Sequence, residues 1–147
     1  MATYSLKDLV GTIAGPGGAV PLAGDEAGLA DEGVTIVPTG DKNVMTPGGD
    51  GAVMHSLRAD RSGTVTVNTL KTSPLNAQLQ VMYNYQTSSA KYHGKNVINF
   101  THTVSGDVIV CEEAAFAKQP DINYATEGGL VAWTFHAGKI HSLLGLF

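Results

Sequence analysis

The residues that could do chemistry are five histidines, one cysteine and a few neighbouring carboxylates. The histidines are His55, His93, His102, His136 and His141. A zinc site would need histidines on one helical face, as in H-E-x-x-H, or a Cys-x-x-Cys pair, and neither pattern occurs. His136 and His141 are five residues apart in a predicted strand, where a lone histidine is usually a satisfied polar group. We therefore predict no metal site.

Glu112 and Glu113 are adjacent in a predicted strand, so their side chains point to opposite faces and cannot act as an acid–base pair. Cys111 would be a nucleophile only with a lowered pKa, and nothing near it predicts one. A thiol in an apolar strand is more often buried and inert, and a single cysteine excludes an intrachain disulfide. We predict a protein that is not an enzyme and holds no cofactor.

Nucleotide-binding patterns are also missing. The glycines of residues 15–18 begin like a dinucleotide fingerprint, but the third glycine and the following helix are absent. The net charge of −4 argues against a basic clamp on nucleic acid. Charged residues make up only 15% of the 147 residues, against about a quarter in ordinary domains. The length fits one domain, residues 1–147, and no run is long enough to span a bilayer.

One charged cluster stands out. Asp60 lies between Arg58 and Arg61, just before a predicted strand. These residues could form a local ion pair, which contributes little at a surface, or they could contact another subunit.

The strand and helix that follow this cluster organise the chain. Residues 62–71 alternate, with Thr64, Thr66 and Asn68 on one face and Val65, Val67 and Thr69 on the other. Ser73 can cap a helix and Pro74 suits its first position. The helix is predicted over residues 74–86, with Leu75, Leu79, Met82 and Tyr83 on one face.

The rest of the chain is predicted to be strands and turns. The predicted strands are residues 6–13, 19–22, 33–37, 97–104, 108–112 continued past a bulge as 114–117, and 130–140. Residues 24–32, which include Asp25, Glu26, Asp31 and Glu32, predict a solvated loop. In residues 97–104 the polar face carries Asn99, Thr101 and Thr103.

Residues 38–57 predict an extended hairpin arm with a flexible glycine-rich tip around Asp50. Val44, Met45, Val53 and Met54 make it too apolar for a hairpin surrounded by water, and a lone hairpin is marginally stable. We expect it to rest on something, within this chain or outside it. The apolar C-terminus, residues 143–147, is expected to pack on the domain or on a neighbour.

The predicted strands carry few of the inward charges with which monomers protect their sheet edges. An open edge favours pairing with copies of the same chain. We therefore predict a subunit that completes its sheet by joining identical neighbours in a ring.

The chain resembles the tail tube proteins of bacteriophages with contractile tails. The resemblance lies in YSLKD at residues 4–8, GVTI at 33–36, TGDK at 39–42, GDG at 49–51, RADRSGTVT at 58–66, TSPLN at 72–76 and WTF at 133–135. It covers most of the chain, and residues 58–76 are its most specific part.

This resemblance implies a mainly β fold: two packed antiparallel sheets, sandwich- or barrel-like, with one flanking helix and an extended hairpin arm. It implies six copies per ring and rings stacked into a hollow tube. Genome DNA would pass through this tube without sequence-specific binding. The implied partners are the sheath, tape-measure, baseplate and tail terminator proteins, with no membrane. The implied location is the virion tail, and the host cytoplasm during assembly.

Within that picture, the arm residues Val44, Met45, Asp50, Val53 and Met54 are expected to reach the adjoining ring, and Arg58, Asp60 and Arg61 to contact other subunits. A polar strand face needs water, which a lumen supplies. The residues expected to line the lumen are therefore Thr64, Thr66, Asn68, Asn99, Thr101 and Thr103. The rival interpretations are the inner tube of a contractile injection or secretion machine and a small-molecule-binding β-barrel.

Overall fold

The computed structural model describes residues 2–24 and 27–146; Met1, Asp25, Glu26 and Phe147 lie outside the described residues. A short 3-10 helix (Leu6–Asp8) precedes the first strand. The strands and the helix are β1 (Leu9–Gly15), β2 (Gly18–Ala23), β3 (Leu29–Pro38), β4 (Asn43–Pro47), β5 (Val53–Leu57), β6 (Gly63–Leu70), α1 (Leu75–Gln86), β7 (Asn96–His102), β8 (Asp107–Lys118), β9 (Leu130–Ala137) and β10 (Lys139–Leu143).

Eight of these strands form one antiparallel sheet in the order β2-β1-β7-β8-β9-β6-β3, with β10 beside β8. Strands β4 and β5 pair only with each other among the described residues and form the hairpin arm. The mainly β fold with one helix and an extended arm is confirmed.

Strand β8 joins two halves of the sheet. Its residues 107–112 pair with β7 and β10, whereas residues 115–118 pair with β9. We call β1, β2, β7, β10 and the first part of β8 the β7 half, and β3, β6, β9 and residues 115–118 the β6 half. Between them the register shifts and Glu113 has a positive φ of 54°, which is the bulge predicted between residues 112 and 114.

The bulge also explains one wrong prediction. Residues 130–140 are not one strand, because β9 ends at Ala137 and β10 begins at Lys139. Gly138 lies opposite the bulge, where its N–H faces the carbonyls of Glu112 and Glu113 at 3.1 and 3.3 Å. A Cβ on Gly138 would lie 2.8 Å from the Glu113 carboxylate. Glycine at this position therefore lets the chain between β9 and β10 approach the bulge in β8 closely.

Both halves of the sheet bury their inward side chains in one core. The β6 half contributes Val65, Val67, Trp133 and Phe135, and the β7 half contributes Ile13, Ile98, Phe100 and Cys111. Phe116, just after the bulge, packs against both Trp133 and Phe135, with ring centroids 5.8 and 4.8 Å away. The outer faces of the two halves therefore look away from this core on opposite sides.

Helix α1 is fixed to the β6 half by its first turn. The Ser73 hydroxyl accepts a hydrogen bond from the N–H of Leu75 at 3.2 Å, as the predicted cap requires. The Asn76 side-chain oxygen accepts from the Thr69 hydroxyl at 2.7 Å and from the Trp133 indole at 3.1 Å. Leu75, Leu79 and Met82 are buried and Tyr83 is half-buried, so the predicted helix and its packing face are confirmed.

Three strand boundaries differ from the predictions. The 3-10 helix occupies residues 6–8, so β1 starts only at Leu9. Strand β3 starts at Leu29 rather than residue 33, which makes the predicted loop wrong for Asp31 and Glu32 and leaves Asp25 and Glu26 outside the described residues. Strand β7 ends at His102, because Thr103 turns back and donates both its N–H and its hydroxyl to the Asp8 carbonyl.

A buried amide pair joins the end of α1 to β7. The Gln86 and Asn96 side chains exchange two hydrogen bonds of 2.7 Å, and Gln86 also donates to the Pro16 carbonyl at 2.8 Å. Both residues are fully buried. This pair closes the end of the core where the turn between β1 and β2 meets the helix.

We predict that Gln86→Leu lowers the free energy of unfolding by about 3 kcal/mol, because it leaves the buried Asn96 side chain and the half-buried Pro16 carbonyl without their partner. Gln78→Leu, on the exposed face of the same helix, is the control and should change it by less than about 0.5 kcal/mol. Urea unfolding followed by circular dichroism measures both. Adding Asn96→Leu to Gln86→Leu should restore part of the loss, and equal effects of the two single variants would contradict the assignment.

Candidate assembly surfaces

The titratable residues that the structure describes are scattered rather than clustered. Within residues 2–24 and 27–146, no three histidine, cysteine or carboxylate side chains are close enough to hold a metal ion. Burial raises the pKa of the Cys111 thiol to about 11, which disfavours the reactive thiolate. The described part also contains no helix that is long and apolar enough to cross a membrane. The notable features of the surface are strand faces, strand edges and the arm.

The arm exposes apolar side chains on both of its faces. Cross-strand pairing puts Met45, Val53 and Leu57 on one face and Val44 and Met54 on the other. Met45 and Met54 are each 59% exposed and Leu57 is 86% exposed. The Asp50 carboxylate accepts the N–H of Ala52 at 3.0 Å and closes the tip. Nothing in the described part of this chain covers these apolar side chains.

The base of the arm carries the predicted charged cluster. No ion pair within 4.0 Å joins Asp60 to either neighbouring arginine in the described residues. The Asp60 carboxylate instead accepts the N–H of Ser62 at 2.9 Å, and this hydrogen bond holds its pKa below the usual value. The Arg61 guanidinium lies 3.4 Å from His141 Nδ1, so Arg61 is directed towards β10.

The predicted lumen residues are divided between the two sides of the molecule. Thr64, Thr66 and Asn68 lie on the outer face of the β6 half, in register with further polar residues of β3 and β9. Those neighbours are Thr35, Thr134 and His136. All three predicted residues are half-buried, whereas the alternating Val65, Val67 and Thr69 are buried. Val37 lies opposite Thr64 and Ala132 opposite Asn68, so the outer face of the β6 half is mainly but not entirely polar.

Asn99 and Thr101 lie on the outer face of the β7 half, on the opposite side of the core. Their partners on the flanking strands include Val108 and Val110 on β8 and Val10 on β1, so this face is more apolar than the first. Thr103 belongs to neither face, because it lies in the turn after β7. The two sets of residues therefore cannot line a single bore.

Sequence reasoning did not identify the free strand edges individually. Within the part of the chain that the structure describes, strand β3 is paired only on its β6 side, and residues 115–118 of β8 are paired only on their β9 side. No turn or loop in the described ranges adds a backbone hydrogen bond to residues 34–37 or 115–118. These segments are the two margins of the four-stranded β6 half.

Comparison with known protein families assigns the chain to one of them. A family model described as "Bacteriophage PhiTE tail tube protein" matches residues 1–145. The chain belongs to this tail tube family. The family is one of structural proteins rather than enzymes, so this chain is a structural component of the phage tail. The resemblance found in the sequence is thereby confirmed.

Solved structures with the same fold come from contractile injection systems. The tube-terminating cap of the anti-feeding prophage is 12% identical, with a TM-score of 0.62 over 99% of this chain and 95% of that chain. The sheath/tube terminator of the extracellular contractile injection system PVC is 10% identical, with a TM-score of 0.62 over 97% and 98%. A chain of the PVC sheath–tube complex is 10% identical, with a TM-score of 0.59 over 97% and 92%. No curated protein matches the chain in sequence.

We predict that Cys111 of the folded tail tube protein does not react with a thiol reagent at pH 8, because its folded pKa of about 11 leaves little thiolate and the side chain is buried. The unfolded thiol ionises at lower pH, so unfolding is increasingly favoured as pH rises from about 9 towards 11. Absorbance at the reagent's wavelength measures the reaction with and without denaturant. The exposed variant Ser56→Cys is the reactive control, and equal rates for both thiols would contradict the assignment.

Proposed function

We propose that this chain forms hexameric rings that stack into the hollow phage tail tube, through which genome DNA leaves the virion. The observation that carries the proposal is the pair of margins on the β6 half that are unpaired among the described residues, together with an apolar arm that nothing in those residues covers. Edge strands and apolar hairpins of this kind are hazards for a monomer and become useful when copies associate. Residues 1–147 would act as one tail-tube-like domain.

The outer face of the β6 half is the proposed lumen wall, carried by Thr64, Thr66 and Asn68. Hydroxyl and amide groups on this face can be hydrated, and the strands β3 and β6 carry no lysine or arginine that would hold phosphates. The net charge of −4 also disfavours adhesion of DNA. Asn99 and Thr101 would face away from the lumen, because their face lies across the core.

The arm is proposed to seat Val44, Met45, Val53 and Met54 on the adjoining ring, with Asp50 at its tip. Apolar side chains that are exposed in one ring would be buried when the next ring stacks, which supplies the driving force for elongation. Arg58, Asp60 and Arg61 lie at the base of the arm, and we propose that they contact other subunits there.

The proposed partners of the assembled tube are the sheath, tape-measure, baseplate and tail terminator proteins, and assembly would take place in the host cytoplasm. A second candidate is the inner tube of a contractile injection machine that carries effectors. Its support is the likeness in fold to the cap, terminator and sheath–tube chains described above. Purified particles that contain DNA would favour the phage tail, and particles that contain protein cargo would favour the injection machine.

We predict that Met45→Ser combined with Met54→Ser prevents long tubes while leaving the subunit folded. Each methionine loses about 1.5–3 kcal/mol of burial on the next ring. Negative-stain electron microscopy measures tube length, and the melting temperature reports folding. The control is Val81→Ser with Ile122→Ser, which removes two equally exposed apolar side chains outside the arm. Full-length tubes from the arm variant at the wild-type protein concentration would contradict the role of the arm.

We predict that, in assembled tubes, a cysteine in place of Thr66 is protected from a maleimide on a polymer too wide for the bore, whereas a cysteine in place of Asn99 reacts. A small maleimide should label both, which controls for local burial, and buried Cys111 should contribute little background. The shift of the labelled band in denaturing gels measures the reaction. Equal labelling of the two variants by the wide reagent would exclude the proposed lumen wall.

A further inference from the structure

The two free margins of the β6 half fit each other in length, direction and charge. We propose that β3 of one copy pairs antiparallel with residues 115–118 of β8 in the next copy. Asp31 and Glu32 of β3 would then meet Lys118 of that second copy and fix the register. This inference rests on the proposed ring and names the contact that closes it.

The lengths of the two margins match. The register of β3 shifts between Leu29 and Val34, so regular pairing with β6 runs only from Val34 to Pro38. Pro38 lacks an N–H and cannot extend a ladder, which leaves residues 34–37 as the regular part of this edge. Residues 115–118 of β8 form an equally short edge after the bulge, and their own register with β9 shifts between Phe116 and Lys118. The two margins are therefore similar in length.

The directions of the strands also match. Neighbouring strands in the series β8, β9, β6 and β3 are antiparallel, so β8 runs opposite to β3. A neighbour rotated about a ring axis keeps its strand directions along that axis. Its β8 would lie antiparallel beside β3, and the alternation would continue around the ring as a closed barrel without free edges.

Opposite charges lie at one end of the two margins, where β3 starts and β8 ends. Asp31 and Glu32 are exposed and lie at the start of β3, while Lys118 is the last residue of β8. Because β3 and β8 run in opposite directions, the start of one lies at the same end of the β6 half as the end of the other. Lys118 is 74% exposed, and its ion pair with Asp121, which is 97% exposed, has a long distance of 3.9 Å. The ammonium group is therefore available to a neighbour.

Other free edges fit less well. Strand β2 is the opposite end of the sheet but contains Pro21, which removes a donor from its ladder. Strand β10 belongs to the β7 half, and its Ile140 already donates to the Arg61 carbonyl at 2.8 Å. Neither strand is a margin of the face that carries Thr64 and Thr66. Only β3 and residues 115–118 would make that face continuous between copies.

The register that brings the charges together can be tested with cysteine pairs. Within one chain, Lys118 pairs with Thr134 on β9, Thr134 with Thr66 on β6, and Thr66 with Thr35 on β3. Lys118 and Thr35 therefore lie at the same height on the two margins. Strands in a closed barrel tilt, so the next copy is displaced along β3 by several residues. We expect Glu32→Cys combined with Lys118→Cys to form disulfides between copies in assembled protein, giving ladders up to a closed ring in non-reducing gels. Thr35→Cys with Lys118→Cys is the control, because these two residues would meet only if neighbouring copies were not displaced. This pair should give few cross-links.

Charge reversal provides the second test. We expect Lys118→Glu alone, and Asp31→Lys with Glu32→Lys alone, to raise the protein concentration needed for assembly by about tenfold or more through like-charge repulsion. All three substitutions together should restore assembly, because the opposite charges then meet again. The control Lys71→Glu with Glu127→Lys also reverses two charges at this end of the β6 half but outside its margins and away from Lys118, and should assemble normally. Sedimentation and negative-stain images measure assembly.

The outcomes distinguish a failure of this contact from a failure of the proposed function. If the wild type forms rings, but the single reversals assemble normally or the combined variant is not rescued, the pairing is wrong and the ring stands. Preferential cross-linking of the Thr35→Cys pair would also reject the register. If the wild type remains a single subunit at high concentration, both the ring and this contact fail.

Discussion

The change of partner along β8 is the constraint on which the rest of the structure depends. One strand serves both halves of the sheet, and the bulge at Glu113 lets it leave β7 and continue beside β9. The two halves can then bury their inner faces against each other in one core. The same change leaves residues 115–118 unpaired on one side. The feature that completes the fold thus also creates a free edge.

The distribution of apolar side chains follows from this arrangement. The largest side chains, such as Trp133, Phe135 and Phe100, are buried between the halves, and the Gln86–Asn96 pair satisfies the polar groups at one end. Among the described residues the two arm strands pair only with each other and are exposed along their whole length, so the arm takes no part in this core. Its apolar side chains remain exposed in a single copy, which is costly unless a partner covers them.

Local patterns made a good part of the fold predictable from the sequence. The alternation in β6 and the Ser73 cap of α1 depend on residues close in sequence, so both were confirmed. Gln86 was missed as a core residue, although its spacing from Leu75, Leu79 and Met82 continues their stripe. A polar side chain on such a stripe is a signal for a buried hydrogen-bonding partner, here Asn96.

Pairing between distant segments limited the rest of the prediction. The break at Gly138 depends on the bulge opposite it in β8, and the early start of β3 depends on its pairing with Thr69 of β6. Alternation separates a polar face from an apolar one, but it does not tell which side of the core the polar face occupies. For that reason Thr64 and Asn99 received the same role from sequence and lie on opposite sides of the molecule.

Unlike edges favour a closed ring over a pair of subunits. An edge that pairs with a copy of itself gives a two-fold dimer and stops there, whereas two different edges give head-to-tail contacts that continue until rotation closes them. β3 and residues 115–118 differ in sequence and carry opposite charges at the same end, so pairing one with the other brings opposite charges together, which self-pairing of either edge does not. Both edges are only about four residues long, and one such contact is weak. In the proposed ring these contacts would form together, so assembly would depend steeply on protein concentration.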